Sequence, residues 1–140
     1  VDAIKGLVQR YASQSDVVTS IQLVNEPFGF SLNMDLVKDF HFKGYYDAIR
    51  LEPPQRDTVM VFHDAFQGIE YWNGFMGPGS GQYHVMLDVH RYQIFSQGEV
   101  DLTPTGHIQT ACAQGPPLRN ADKWTIVGEW SGALTEFVVP

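Results

Sequence analysis

A single cysteine, Cys112, stands in 140 residues. One thiol cannot close a disulfide within the chain, and Cys-based zinc knuckles need several. Basic residues are scarce: nine Lys+Arg against sixteen Asp+Glu give a formal charge of −7. That balance disfavours wrapping a phosphate backbone, so no nucleic-acid partner is expected. No apolar run approaches the roughly 20 residues of a membrane-spanning helix. No repeat or low-complexity tract occurs, and the sequence opens on Val1 with neither an initiator Met nor a signal-like segment in it. Hydrophobic residues at 44% and charged residues at 18% exclude a disordered chain, and the length suits one compact domain.

Aromatic residues, at 13%, are abundant. Ile4, Leu7, Val8 and Tyr11 fall at helical spacing, and the β-branched run Val17–Val24 reads as a buried strand ending at Asn25-Glu26-Pro27. Asn33 or Asp35 can cap a second helix carrying Leu36, Val37, Phe40, Tyr45, Ala48 and Ile49, with Pro53-Pro54 as its stop. Strands are expected over Thr58–Phe62, Val85–His90 and Trp124–Ser131. A Gly- and aromatic-rich loop with at most one helical turn fills 65–81, and a helix from about Thr105 to Gln114 is ended by Gly115-Pro116-Pro117. Short apolar strands alternating with helices predict a parallel α/β sheet with right-handed crossovers. Each strand closes on polar residues: Asn25-Glu26, His63-Asp64, Asp88 to His90, and Glu129. In a parallel sheet those ends share one side, where α/β folds place active sites.

Glu26 and Glu129 both follow apolar runs, and only tertiary folding can join them. Two carboxyls in unlike surroundings can divide into an acid and an ionised nucleophile, and about 5–5.5 Å between them is the retaining glycosidase arrangement. Solvated or capping roles remain open for both. His63, Asp64, Asp88 and His90 permit a divalent metal, but His-x-His and His-x-Asp spacings are missing, so no metal or cofactor is expected. His63-Asp64 reads first as a structural pair capping a strand and loop, and His41 and His107 as surface or packing residues. His84 carries no signal. Trp124 reads as core. Phe66, Tyr71, Trp72, Phe75, Tyr92, Phe95 and Trp130 either pack helices onto the sheet or stack on sugar rings at the mouth.

Six blocks in order make the chain familiar: Gln22-Leu23-Val24-Asn25-Glu26-Pro27-Phe28-Gly29, Leu32-Asn33-Met34-Asp35, His63-Asp64-Ala65-Phe66-Gln67, Tyr71-Trp72-Asn73, His90-Arg91-Tyr92-Gln93-Ile94-Phe95-Ser96, and Val127 through Thr135. They resemble the fungal exo-β-1,3-glucanases of glycoside hydrolase family 5, retaining (β/α)8 TIM-barrel enzymes. The resemblance implies that Glu26 is the acid/base and Glu129 the nucleophile. It implies that Asn25 meets the sugar 2-hydroxyl, and that His90 and Tyr92 line the subsite and orient the nucleophile. It implies substrate contacts for Phe66, Phe95 and Trp72, and release of glucose from β-1,3-glucan by double displacement. A secreted or cell-wall location in a fungus, with roles in wall glucan metabolism, and a monomeric whole enzyme are implied too. Arg91 departs from the family's usual second His and should point away from the subsite.

Such barrels need roughly 250 residues, so the resemblance implies that residues 1–140 hold strands four to seven of a longer catalytic domain, with the first three strands and the eighth lying elsewhere. Cys112 would match a family half-cystine whose partner lies beyond residue 140. Alternatives are an endo-acting β-glucanase, a catalytically silent glycan-binding barrel, and a metal-dependent barrel hydrolase.

Overall fold

In a computed structural model, residues 1–11, 13–14, 16–50 and 58–133 are described. The expected surface connection at 51–57, the Pro53-Pro54 stop and the segment 134–140 lie outside them. The elements are α1 (Asp2–Tyr11), β1 (Ser20–Gln22), α2 (Met34–Gly44) running into a π-helical turn (Tyr45–Ile49), β2 (Val59–His63), α3 (Ile69–Trp72), β3 (Val85–Arg91), α4 (Gln97–Val100), α5 (Pro104–Cys112), α6 (Gly115–Arg119) and β4 (Trp124–Trp130).

The four strands form one parallel sheet in chain order, β1-β2-β3-β4. The order has no reversal point of the kind a doubly wound sheet carries. Strand alternation divides the residues between two faces. Met60, Phe62, Val85, Leu87 and Val89 join one core with Val8 of α1, Val37 of α2, Tyr45 and Ile49 of the π-helical turn, and Trp72 of α3. The opposite phase of the same strands carries Gln22, His63, Asp88 and His90. The sheet thus has one apolar, helix-covered face and one polar face.

Several boundaries differ from expectation. Only Ser20–Gln22 of the long apolar run pairs as a strand, although the backbone bonds Val59 N–H to Thr19 and Leu23 N–H to Val61 extend the contact on either side. Asn33 caps α2, its side chain accepting the Asp35 N–H at 2.9 Å. Gly115-Pro116-Pro117 begins α6 instead of merely ending α5: proline fits a helix's first turn, where its missing N–H leaves no bond unmade. Trp124, expected in the core, is 57% exposed and stacks on His84. It opens β4, a strand paired on one side only among the described residues.

Candidate active site

The carboxyl ends of the strands converge on His90. Its Nδ1 lies 2.6 Å from Glu26 Oε1 and 3.4 Å from Glu129 Oε2, so the two carboxylates flank one imidazole nitrogen. Those two contacts bring the nearest carboxylate oxygens within reach of the roughly 5–5.5 Å spacing of retaining pairs. Tyr92 Oη donates to Glu129 Oε2 at 2.8 Å. Thus the tyrosine holds Glu129, while the short contact of His90 is to Glu26. The expectation that both orient the nucleophile is refined accordingly.

Backbone geometry aims both carboxylates. Glu26 adopts φ +43°, a left-handed conformation unusual away from glycine, directly before Pro27. Glu129 is aimed by an irregularity in β4. Val89 pairs with Val127, but His90 pairs with Glu129, so Gly128 is an extra residue on β4. This bulge switches the side-chain phase and brings Glu129 to the face of His90. The Gly128 N–H donates to Asp88 Oδ1 at 2.8 Å. A Cβ at Gly128 would overlap the Asp88 carboxylate, so glycine is needed there. Asp88 is 3% exposed; its Oδ2 also accepts from Gln22 Nε2 at 3.1 Å and meets His90 Nε2 at 3.2 Å.

Charge around His90 is lopsided. Burial alone would lower its pKa. The hydrogen bond to Glu26, the charge and hydrogen bond of Asp88 and the charge of Glu129 outweigh burial and raise it above 6.5. Tyr92 is raised as well, first by its hydrogen bond to Glu129. His63 moves the other way. Burial lowers its pKa against the opposing charge of Asp64, with His90 adding to the lowering.

Glu26, His63 and His90 offer ligand atoms within 4.8 Å of one another. Their hydrogen bonds fit a metal badly. The Ala65 N–H donates to His63 Nδ1 at 3.0 Å, which in the neutral ring leaves the proton on Nε2 and no free lone pair toward a cation. Asp64 Oδ1 accepts the Phe66 N–H at 2.9 Å. These two side chains hold a turn in which Ala65 and Phe66 both have positive φ, and so they cap a strand and a loop.

A cleft of about 470 Å³ is lined by Glu26, Phe28, Phe30, Phe66, His90, Tyr92 and Phe95. Phe30 stacks on Phe66 at 5.9 Å between centroids, and Phe28 meets Phe30 edge-on at 5.3 Å. Phe95 is 82% exposed and packs its edge against Tyr92. Sequence reasoning missed Phe28 and Phe30, although both follow the Asn-Glu-Pro strand end. Asn25 sits exposed at that same end. Trp72 requires a correction. It is fully buried, its Nε1 donates to Asp64 O at 2.7 Å, and Phe62, Phe75 and His41 enclose its ring. It is a core residue that no sugar reaches. Arg91 Nε donates to Gln114 Oε1 at 2.9 Å, and its Nη1 lies 3.8 Å from Asp64 Oδ2. Cys112 is exposed as a free thiol, and His107 is buried with Nδ1 on Gln93.

Comparison with known proteins brings out relatives of one kind. The chain is a homologue of fungal glucan 1,3-β-glucosidases. It is 45% identical over 134 residues to a "Glucan 1,3-beta-glucosidase" of Blumeria graminis, covering 96% of this chain and 30% of that protein. A "Probable glucan 1,3-beta-glucosidase A" of Aspergillus niger is 40% identical over 136 residues, 96% of this chain and 31% of that protein. A "Glucan 1,3-beta-glucosidase" of Candida oleophila is 37% identical over 139 residues, 97% of this chain and 33% of that protein. The chain therefore spans about a third of the length of these curated relatives. No family model matches it. Among the described residues no helix is long and apolar enough to cross a membrane.

Proposed function

We propose that this segment carries the catalytic carboxylates of a retaining β-1,3-glucan glucosidase. The observation that carries the reading is the pair Glu26 and Glu129 on the two sides of His90 Nδ1, with their nearest oxygens within reach of a retaining spacing. Glu129, held by Tyr92, attacks the anomeric carbon. Glu26 gives its proton to the departing glycosidic oxygen as that bond breaks, leaving a glucosyl ester on Glu129. Glu26 then takes a proton from water as the ester is hydrolysed, and glucose leaves with retained configuration. Asn25 serves the 2-hydroxyl, and Phe66 and Phe95 with Phe28 and Phe30 shape the leaving-group side of the cleft. A neutral glucan suits that phenylalanine lining better than a charged ligand does.

The sequential parallel sheet, with its helices on one face, is in this reading four strands of a (β/α)8 barrel whose other strands belong to the rest of a longer protein, exo-acting and exported to the fungal wall. The test is made on that longer protein. Glu26→Gln and Glu129→Gln should each lower kcat on laminarin by about 10³-fold or more, with free glucose as the wild-type product. Near-normal turnover by either variant refutes the assignment. Oligosaccharide release by the wild type would favour endo action.

A further inference from the structure

We propose that Asp88 is a positioning residue that fixes the tautomer of His90 and thereby keeps the proton shared between His90 and Glu26 in place for catalysis. The inference rests on the glycosidase reading of Glu26. Three donors converge on this one buried carboxylate, each from a different strand: Gln22 Nε2 of β1, His90 Nε2 of β3 and the Gly128 N–H of β4. An ionised carboxylate only accepts. Facing Asp88, His90 Nε2 must therefore carry a hydrogen, and the other ring nitrogen, Nδ1, is the one left on the 2.6 Å line to Glu26 Oε1. When His90 is neutral, that lone pair accepts the Glu26 O–H. When His90 is protonated, the same proton sits on Nδ1 and faces the Glu26 carboxylate. In both states one proton lies between the two groups, ready for the glycosidic oxygen.

The groups facing His90 come from three strands and the segment after β1: Glu26 of that segment, His63 of β2, Asp88 of β3 itself, and Glu129 of β4, with Tyr92 on Glu129 and Asp64 next to His63. Of the three carboxylates, Asp88 alone is deeply buried, at 4% side-chain exposure against 38% for Glu26 and 41% for Glu129. Its charge is the least screened, and a substrate in the cleft does not displace it. An asparagine there would face Gly128 N–H and His90 Nε2–H with a single acceptor oxygen. Its amide N–H₂ would turn the imidazole to the other tautomer, with Nδ1–H permanently toward Glu26.

The experiment compares Asp88→Asn with wild type in the full-length protein. With Nδ1–H fixed toward it, the Glu26 carboxyl should give up its own proton at lower pH. The alkaline limb of kcat/KM on laminarin should move down by about one pH unit, and kcat should fall about 10²-fold. An aryl β-glucoside with an acidic phenol leaving group, which needs no protonation, should lose less than about threefold. Equal losses on both substrates with an unmoved limb would overturn the proposal and leave Asp88 merely structural. If the variant does not fold, ¹⁵N NMR of histidine-labelled wild type decides. His90, assigned through a His90→Gln variant, should carry a proton on Nε2 throughout the active pH range, and an unprotonated Nε2 overturns the proposal. A wild type inactive on any β-1,3-glucan would sink the glycosidase reading, while the NMR result on the Asp88–His90 contact would stand independently.

Discussion

Gly128 is where a single atom matters most. The Asp88 carboxylate occupies the space of the missing Cβ and accepts the adjacent N–H. Gly128→Ala should therefore push Asp88 from beneath His90. Overpacking of this kind costs about 1–3 kcal/mol, so the melting temperature of the full-length protein should drop together with kcat. Unchanged stability and activity would mean that the bulge relaxes freely. Its importance was invisible along the chain, because the glycine's partner lies 40 positions upstream and is selected by strand register. The glutamates themselves were legible, since each follows a strand-like apolar run and falls within a recognisable block. Trp72 was misread for the converse reason. Its neighbours Gly68 and Gly74 suggest a loop, yet α3 folds the indole inward and Asp64 O takes its N–H.

At the scale of elements, α2 lies against β2 through His41, which is fully buried between Phe40, Phe62 and Trp72. Burial, with a smaller contribution from the charge of His63, pushes its pKa down to about 4. Between about 4 and the ordinary 6.5 the unfolded chain binds a proton that the folded chain refuses. Stability is thus complete above pH 6.5, declines as pH falls toward 4, and levels off below. At about 1.4 kcal/mol per pH unit the decline amounts to a few kcal/mol. Urea midpoints measured across that range should show this slope. His41→Gln should flatten most of it, with His63 leaving a remnant of the same sign. An identical slope in the variant would assign the effect to other groups. Periodicity placed His41 on a helix and allowed it a packing role. Its depth depends on the sheet beneath α2, which local pattern does not describe.

For the molecule as a whole, the order of elements and the gathering of polar strand ends were both readable, because parallel pairing follows from apolar strands alternating with helices. Side-chain partnerships across the sheet were not. Among the described residues β1 pairs only with β2 and β4 only with β3, which leaves two parallel backbone edges. The polar face also carries His63 with an unpartnered Nε2. A polypeptide of these 140 residues alone should accordingly melt broadly in calorimetry, associate with itself, and release no glucose from laminarin. A sharp transition with full glucanase activity would contradict that expectation.

The bulge at Gly128 also separates two properties of β4, its aim and its length. With Gly128 deleted, Glu129 would follow Val127 directly and keep its place opposite His90 in an unbulged strand, while the N–H that Gly128 donates to Asp88 Oδ1 would go with the bulge. Most surface insertions and deletions in such a protein are matters of loop entropy. Here a deletion of one codon would leave Glu129 paired with His90 and would take away one of the hydrogen bonds that hold the buried Asp88 carboxylate beneath it.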